Sequence, residues 1–295
     1  MGARPVAGGH PALLLAAAGL VALAASSCGA RPGRSYRAPS SPASGPLNFA
    51  VIGDFGDGSR AEHAVTRRMC SYRSKHPFGV LITVGDNVYP EGAPRRFRWR
   101  FVRPLSCLVD AGVDVHASLG NHDVVTNDGW PEISDARFGM ENRNYVVREK
   151  GVGFVIADSN HLNRSWLRSA LRAEAGDRWT IVVFHHPVYS GGSVHGSTPG
   201  YRPGLPRMFR RHGVDLVLNG HDHVYSVTKP LHKIRYVVTG GGGAELYPCA
   251  WRWFLEKCRS RHGFLYVHAG SKILRVKAVS SDGDLMDRFV TMGRS

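Results

Sequence analysis

The stretch Gly85-Asp86-Asn87-Val88-Tyr89 directly follows the apolar run Val80–Val84. That run is short, rich in β-branched residues and bounded by glycines, which predicts a buried strand. Open α/β sheets bind ligands at the carboxyl ends of their strands, so the carboxylate of Asp86 is predicted to face a crevice. Asp-Asn after a strand is also ordinary turn chemistry. The pentapeptide becomes informative because four further stretches also place polar residues directly after a predicted strand.

These four stretches also place potential metal ligands where a predicted strand ends. They are Gly53-Asp54 after Leu47–Ile52, Gly120-Asn121-His122-Asp123 after Val113–Leu119, His185-His186-Pro187 after Trp179–Phe184, and Gly220-His221-Asp222-His223 after Val214–Leu218. Each has a structural explanation when taken alone, since aspartates form turns, an asparagine caps a turn and a lone histidine is usually structural or exposed. Their joint occurrence at strand ends indicates one shared site.

The order of predicted elements indicates two packed sheets flanked by helices. Up to Leu218 strands and helices alternate, and after it strands follow one another. Further strands are predicted at Asn144–Val147, Val152–Ala157, Arg235–Thr239, Phe264–His268 and Lys272–Ala278, and helices at Arg60–Lys75, Arg95–Val109, Ser165–Ala175 and Leu205–His212. The segment Val124–Glu141 has little periodicity and is predicted to be a surface excursion.

Size and charge limit the functional classes. With 295 residues and 43% hydrophobic content, the chain can bury a sizeable core. The net charge is +15, and the first 46 residues contribute four arginines and no acid, which leaves +11 for the rest. This excess favours anionic partners such as phosphate esters or acidic polymers, although an arginine-rich soluble protein has the same balance. No motif indicates a specific nucleic-acid partner.

The N-terminal region predicts export. Arg4 and His10 precede the apolar run Leu13–Ala25 and then small residues, so residues 1–27 are predicted to be a signal peptide. Cys28 follows in the position of a lipobox cysteine, which predicts a lipoprotein signal with Cys28 lipidated; ordinary cleavage nearby is the alternative. Residues 28–46, rich in Pro, Ser, Gly and Arg, are predicted to form a flexible tether. The expected location is secreted or lipid-anchored at the cell envelope, with no other membrane contact.

The cysteine count fits an oxidising compartment. Apart from Cys28, the chain holds Cys70, Cys107, Cys249 and Cys258, an even number. Three disulfide connectivities are possible, and pairing Cys70 with Cys107 and Cys249 with Cys258 is the most economical; four free thiols are the alternative. The spacing does not suit zinc.

The candidate metal ligands share a chemistry of hard or borderline donors. They are Asp54, Asp86, Tyr89, Asn121, His185, His221 and His223. Oxygen and imidazole donors suit iron, zinc and manganese. Seven ligands are too many for one catalytic ion, but with Asp86 bridging they divide into two half-shells about 4 Å apart, as in two-metal hydrolytic sites.

In this order the five stretches resemble the motifs of the calcineurin-like metallophosphoesterases, and more narrowly those of purple acid phosphatases of the small tartrate-resistant type. The superfamily usually begins with Asp-x-His, whereas position 56 is glycine. In purple acid phosphatases a tyrosine three residues after the bridging aspartate replaces that ligand, and Tyr89 matches it. The resemblance covers about residues 47–245. It implies a four-layer αββα sandwich of two mixed β-sheets flanked by helices, with residues 47–295 as the catalytic domain.

The resemblance also implies how the ligands divide between the metals. Fe(3+) would be held by Asp54, Asp86, Tyr89 and His223. Fe(2+), Zn(2+) or Mn(2+) would be held by Asp86, Asn121, His185 and His221. His185 is preferred to His186 because the family's ligand stands two residues before the proline; His186 is expected to line the pocket.

Three further residues are implied to be catalytic. His122 matches the family's substrate-facing histidine, which binds phosphate or gives a proton to the leaving alkoxide. Asp123 would orient His122. His195, in the loop after His185, resembles a second histidine of the tartrate-resistant type.

The resemblance implies hydrolysis of phosphate monoesters, on phosphorylated small molecules or phosphoproteins, by metal-activated hydroxide. A phosphodiesterase or nucleotidase on the same scaffold is the first alternative, and an exported protein that binds phosphate or metal without catalysis is the second. Retention of His122 beside all seven ligands favours an enzyme, because binding alone needs no proton donor. The oligomeric state cannot be read from the sequence.

Overall fold

The computed structural model describes residues 45–293. The predicted signal peptide and all but two residues of the predicted tether lie outside the described residues. Within them, thirteen strands form two sheets. The strands are β1 Leu47–Ile52, β2 Val80–Thr83, β3 Asp114–His116, β4 Tyr145–Glu149, β5 Val152–Ile156, β6 Trp179–Val183, β7 Leu216–Asn219, β8 Tyr225–Thr228, β9 Arg235–Thr239, β10 Leu255–Arg259, β11 Gly263–Ala269, β12 Ile273–Ser280 and β13 Leu285–Met292.

Both sheets are mixed, as predicted. The six-stranded sheet I has the order β13-β12-β11-β1-β2-β3, with β1, β2 and β3 parallel and the others antiparallel. The seven-stranded sheet II has the order β10-β8-β9-β7-β6-β5-β4, in which β5, β6, β7 and β9 are parallel. The parallel strands of each sheet therefore present their carboxyl ends at one edge.

The main core lies between the sheets. Phe49 of β1 and Phe154 of β5 are fully buried, and their rings meet edge to face with centroids 5.0 Å apart. A second apolar cluster lies on the other face of sheet II, where Leu167 and Phe209 from two helices join Val182 of β6. Apolar side chains thus hold successive layers of the predicted αββα sandwich together.

The helices follow the predicted positions closely. They are α1 Arg60–Lys75, α2 Pro94–Phe97, α3 Arg103–Val109, α4 Trp130–Ile133, α5 Arg164–Ala173 and α6 Leu205–Arg211, with a π-helical turn at Arg98–Val102 and 3₁₀ turns at Asp123–Val125, Asn127–Gly129 and Ala136–Phe138. The Ser59 hydroxyl caps α1 by accepting from the Glu62 backbone N–H at 3.0 Å. The helix predicted at Arg95–Val109 is α2 and α3 joined through the π-helical turn.

Some sequence predictions of local structure were wrong. The strand predicted at Val113–Leu119 is shorter, since β3 spans Asp114–His116; beyond it the Ser118 N–H still donates to the carbonyl of Thr83, the last residue of β2, at 3.2 Å, and the Ala117 N–H donates to the Phe138 carbonyl at 3.0 Å. Strands β8, β10 and β13 were not predicted. The excursion Val124–Glu141 also has an interior side, since Glu132 and Phe138 are fully buried.

Two disulfides connect the cysteines in the most economical of the three pairings. Cys70 of α1 is bonded to Cys107 of α3, and Cys249 is bonded to Cys258 of β10. In the described part of the chain, no helix combines the length and hydropathy needed to cross a membrane.

Candidate metal centre

The predicted ligands meet where the carboxyl edges of sheets I and II face each other. Asp54 follows β1, Asp86 follows β2, His185 follows β6 and His221 follows β7. Asp54, Asp86 and His221 all adopt left-handed backbone conformations, with φ of 55°, 53° and 72°. Non-glycine residues rarely occupy this region, and such strain concentrates at functional sites. The backbone here turns each side chain back toward the same point.

One group of donors surrounds Tyr89. Its hydroxyl donates to Asp86 Oδ2 at 2.9 Å and lies 3.2 Å from His223 Nε2. His223 Nε2 is 3.5 Å from Asp54 Oδ1. Single donor atoms of Asp54, Asp86 and His223 all lie within 4.8 Å of one another. We call these four residues the tyrosine half-shell.

A second group surrounds Asn121. Its Oδ1 is 3.0 Å from His185 Nε2 and 2.9 Å from His221 Nδ1, and the two ring nitrogens are 3.3 Å apart. Asp86 Oδ2 lies 3.4 Å from His185 Nε2. We call Asn121, His185, His221 and Asp86 the asparagine half-shell. Asp86 therefore contacts both groups, as a bridging ligand must.

Hydrogen bonds on the far side of two imidazoles support a metal-binding role. His185 Nδ1 is 2.8 Å from the Val84 carbonyl, and His223 Nδ1 is 2.7 Å from the Glu245 carbonyl. Each Nδ1 is therefore assigned as the donor, which directs Nε2 into the cluster. Carbonyl groups that fix the tautomer of a ligand histidine in this way are the usual surroundings of metal sites. The donor set thus fits two hard or borderline cations.

Burial and mutual charge set the protonation of the cluster. Burial would lower the pKa of His185, but the carboxylates of Asp86 and Asp54 raise it to about 10. Burial lowers the pKa of His221 to about 2, with the charge on His185 adding to the effect. Burial also raises the pKa of Asp54 well above its ordinary value. The His185 imidazolium thus offsets the negative charge of the neighbouring aspartates. When a cation binds, it takes the place of the His185 proton.

Glycines before the ligands are required by close packing. A Cβ on Gly120 would lie 2.2 Å from both the backbone N and Oδ1 of Asp86, and one on Gly220 would lie 2.4 Å from Asp54 Oδ2. No side chain fits at either position without moving a ligand carboxylate.

We therefore expect Gly120→Ala to displace Asp86. The predicted result is at least a tenfold fall in kcat/KM and a loss of about 1–3 kcal/mol in the free energy of unfolding, as for other overpacked sites. Gly79→Ala is the matched control, because a Cβ at Gly79 would meet nothing within 4 Å. Equal activity of the two variants would show that Gly120 does not position the ligand.

His122 lies beside the tyrosine half-shell without belonging to it. Its ring centroid is 4.4 Å from that of Tyr89, and its Nδ1 is 2.7 Å from the Pro90 carbonyl. The backbone N–H of His122 donates to Asp86 Oδ1 at 3.0 Å. With Nδ1 as donor to Pro90, the other ring nitrogen carries the lone pair or a transferable proton.

The predicted role of Asp123 needs correction. Its buried carboxylate accepts hydrogen bonds from the backbone N–H groups of Asn87, Val88 and Gly120 and from the Asn87 side chain. Among the described residues it forms no hydrogen bond with the His122 imidazole, which the Pro90 carbonyl orients instead. Asp123 fixes the two ligand-bearing loops by binding their backbones.

His195 and His186 lie on either side of His221. The His195 ring stacks on His221 with centroids 4.2 Å apart, and its backbone N–H donates to Asp222 Oδ1 at 3.1 Å. The His186 ring is 4.4 Å from that of His221, and its Nδ1 is 2.8 Å from the Ser159 hydroxyl. His195 thus lies beside the asparagine half-shell, and His186 lines the wall.

Two parts of the site were missed from sequence. Tyr247 stacks on His223 with centroids 4.2 Å apart. The buried Asn87 side chain donates to Asp123, to the Ser118 carbonyl and to Glu132. Asn87 lies inside the deciding pentapeptide, but nothing in the sequence marks its partners. Tyr247 lies between β9 and β10 with no motif around it.

The comparisons with known proteins agree with this geometry. The model of the calcineurin-like phosphoesterase family matches residues 47–225, which include all seven ligands. Purple acid phosphatase 3 of Arabidopsis thaliana is 25% identical over 272 residues, which cover 79% of this chain and 74% of the relative. The family match and this relative imply a purple acid phosphatase-like phosphoesterase with a binuclear metal centre.

Two solved structures share the fold. The purple acid phosphatase PPD1 from yellow lupin superposes with a TM-score of 0.73 at 18% identity, covering 85% of this chain and 55% of that one. GAP50, described as the anchor in the inner membrane complex of Plasmodium, superposes with a TM-score of 0.71 at 16% identity, covering 85% of this chain and 90% of that one. At these identities the likeness concerns architecture alone.

Proposed function

Because this chain belongs to the calcineurin-like phosphoesterase family, we propose that it is a hydrolase of phosphate monoesters acting at the two half-shells. The observation that carries the proposal is the position of Asp86. One oxygen of its carboxylate, Oδ2, lies 2.9 Å from the Tyr89 hydroxyl and 3.4 Å from His185 Nε2. The donor set divides around this one residue into two shells, as a two-metal hydrolytic site requires.

The metals we propose follow from the donors. The phenol of Tyr89 supplies a hard anionic oxygen once deprotonated, which favours Fe(3+) in the tyrosine half-shell. The amide and imidazoles of the asparagine half-shell suit Fe(2+), Zn(2+) or Mn(2+). When bound, such a pair supplies Lewis-acid chemistry, which lowers the pKa of water and stabilises charge on phosphoryl oxygens.

His122 is proposed to hold the proton that the leaving alcohol needs. Its Nδ1–H is engaged by the Pro90 carbonyl at 2.7 Å, so when the ring is an imidazolium the second proton sits on Nε2, from which it is passed to the leaving oxygen. The ring lies against Tyr89, and its backbone N–H holds Asp86. His122 is thereby fixed beside the bridging carboxylate without occupying a ligand position, which suits a general acid.

We further propose that the protein is exported, with Cys28 lipidated or the chain secreted. Two disulfides in the catalytic domain support an oxidising compartment. The proposed substrates are phosphorylated small molecules or phosphoproteins, whose dianionic phosphates the net positive charge attracts.

Tyr89→Phe tests the iron assignment. Removing the phenol oxygen is expected to abolish the visible charge-transfer band of an iron–phenolate pair and to leave the fold intact, because only one oxygen atom is lost. Absorption spectroscopy of the iron-loaded protein measures this. Tyr72→Phe on α1 is the control and should keep the band. A band unchanged in Tyr89→Phe would contradict the assignment.

Relative turnover of two esters tests the activity. The metal-loaded chain is expected to hydrolyse p-nitrophenyl phosphate at least about tenfold faster than bis-p-nitrophenyl phosphate. The reverse preference would indicate a phosphodiesterase. Binding of orthophosphate without turnover of either ester would indicate a non-catalytic binding protein.

A further inference from the structure

A cationic groove lies between helices on the outer side of sheet I. One wall is the face of α1 that carries His63, Arg67 and Cys70, and the other is the helical segment from α2 through α3. The cavity has a volume of about 1160 Å³. The remaining lining includes Arg95, Arg96, Trp99, Arg100 and Arg103. We call this cavity the arginine groove.

The groove has a fixed width and a single sign of charge. The disulfide between Cys70 and Cys107 joins its two walls. Helix faces that oppose each other are normally apolar, whereas these carry five arginines and no acid among the lining residues. A cleft lined by one sign of charge concentrates the electric field and attracts ions of the opposite sign.

Nearby acids compensate this charge only in part. Glu91 pairs with Arg95, and its Oε1 lies 3.7 Å from Arg96 Nε. Glu62, behind Arg100, is buried, which raises its pKa to about 8 and leaves it largely uncharged at neutral pH. Arg67 and Arg103 form no ion pair with any residue in the range 45–293.

We infer that the arginine groove binds an oligophosphate, a chain of linked phosphate groups. Along the second wall the lining arginines stand at positions 95, 96, 100 and 103, so arginine recurs about once per helical turn of about 5 Å. Arginine binds phosphate oxygens in bidentate fashion, so a row of arginines fits a row of phosphates. The volume exceeds the usual range of about 300–1,000 Å³ for small-molecule pockets, which leaves room for several groups.

Other occupants fit less well. The indole of Trp99 is 52% exposed but is contacted by Arg98 and Arg103, at 5.5 and 5.1 Å from its ring centroid, so a nucleobase stacking there would compete with two guanidinium groups. The N-terminal 44 residues carry four arginines and no acid, so their charge is not complementary to the groove.

The test compares two pairs of substitutions in the full-length, metal-loaded protein. The groove variant is Arg67→Gln/Arg103→Gln, and the control is Arg168→Gln/Arg207→Gln, which lie at a second basic cavity of about 200 Å³ beside α5 and α6. Titration calorimetry measures binding of a methylene-bridged triphosphate, which resists hydrolysis, in orthophosphate sufficient to occupy the metal centre.

We expect the groove variant to bind the triphosphate analogue at least about tenfold more weakly and the control to bind it like the wild type. Hydrolysis of p-nitrophenyl phosphate should stay within about twofold in both, because none of these arginines belongs to the metal centre, so the result is independent of the proposed activity. Unchanged binding in the groove variant, or equal loss in the control, would overturn the inference. If a single-stranded oligonucleotide of the same charge displaced the triphosphate analogue equally well, the ligand of the groove would be nucleic acid and not oligophosphate.

Discussion

Asp86→Asn is expected to abolish phosphatase activity and to reduce the metal content from about two ions per chain to one or none. The Asp86 carboxylate lies 2.9 Å from the Tyr89 hydroxyl and 3.4 Å from His185 Nε2, so it is the one ligand that both half-shells share. An amide has one acceptor oxygen and no charge. Metal stabilisation of a phosphoryl transition state is worth several kcal/mol, so we expect kcat/KM to fall at least about 1,000-fold.

Elemental analysis and steady-state kinetics on the same preparation check this. Asp110→Asn, at the exposed end of α3, is the control and should keep both metals and full activity. Because Asp86 is buried, circular dichroism must show that the variant is folded. A folded Asp86→Asn protein that retains two ions and near-normal turnover would refute a bridging role.

His122→Gln is expected to lower kcat while leaving the metal content unchanged. Loss of a general acid typically costs about 10²–10⁴-fold in rate. The loss should be large for an alkyl phosphate, whose alkoxide needs a proton, and small for p-nitrophenyl phosphate, whose phenolate does not. KM should change little in comparison. Kinetics with the two substrates measure the difference.

The dependence on the leaving group separates chemistry from folding. A variant that merely disturbed the loop would lose activity toward both substrates equally. His232→Asn is the control, since this exposed histidine lies in the turn between β8 and β9 and has a left-handed φ of 54° that asparagine tolerates. Equal rate losses for the two esters in His122→Gln would contradict proton donation.

The strands were predictable where every residue of the strand is buried. Strands β2 and β6 are buried throughout and apolar except for one threonine each, because both faces of their sheets are covered. β10 was missed because Glu256, Lys257 and Arg259 give an edge strand no apolar pattern. β13 alternates buried and exposed residues, but Asp287 and Thr291 are among the buried ones and Val290 and Met292 among the exposed ones, so its sequence shows no apolar alternation.

The clustering of the candidate ligands was predictable because they follow strands, and strand ends meet in this topology. The contacts of Asp123 were not, since they depend on how the loops after β2 and β3 pack together. The arginine groove escaped sequence analysis for a similar reason. Its two walls are more than twenty residues apart in sequence, and only the packing of α1 against α3 brings their arginines together.

The metal stoichiometry of the wild-type protein tests the central claim most directly. Purified chain, reconstituted with iron and zinc and freed of loosely bound ions, should contain about two metal ions per molecule by elemental analysis, including iron with a visible absorption band. If the protein contained two ions but no iron and no visible band, it would still be a two-metal phosphoesterase, but the assignment of iron to the Tyr89 site would be wrong. No more than one ion per chain under every reconstitution condition would contradict the binuclear centre itself.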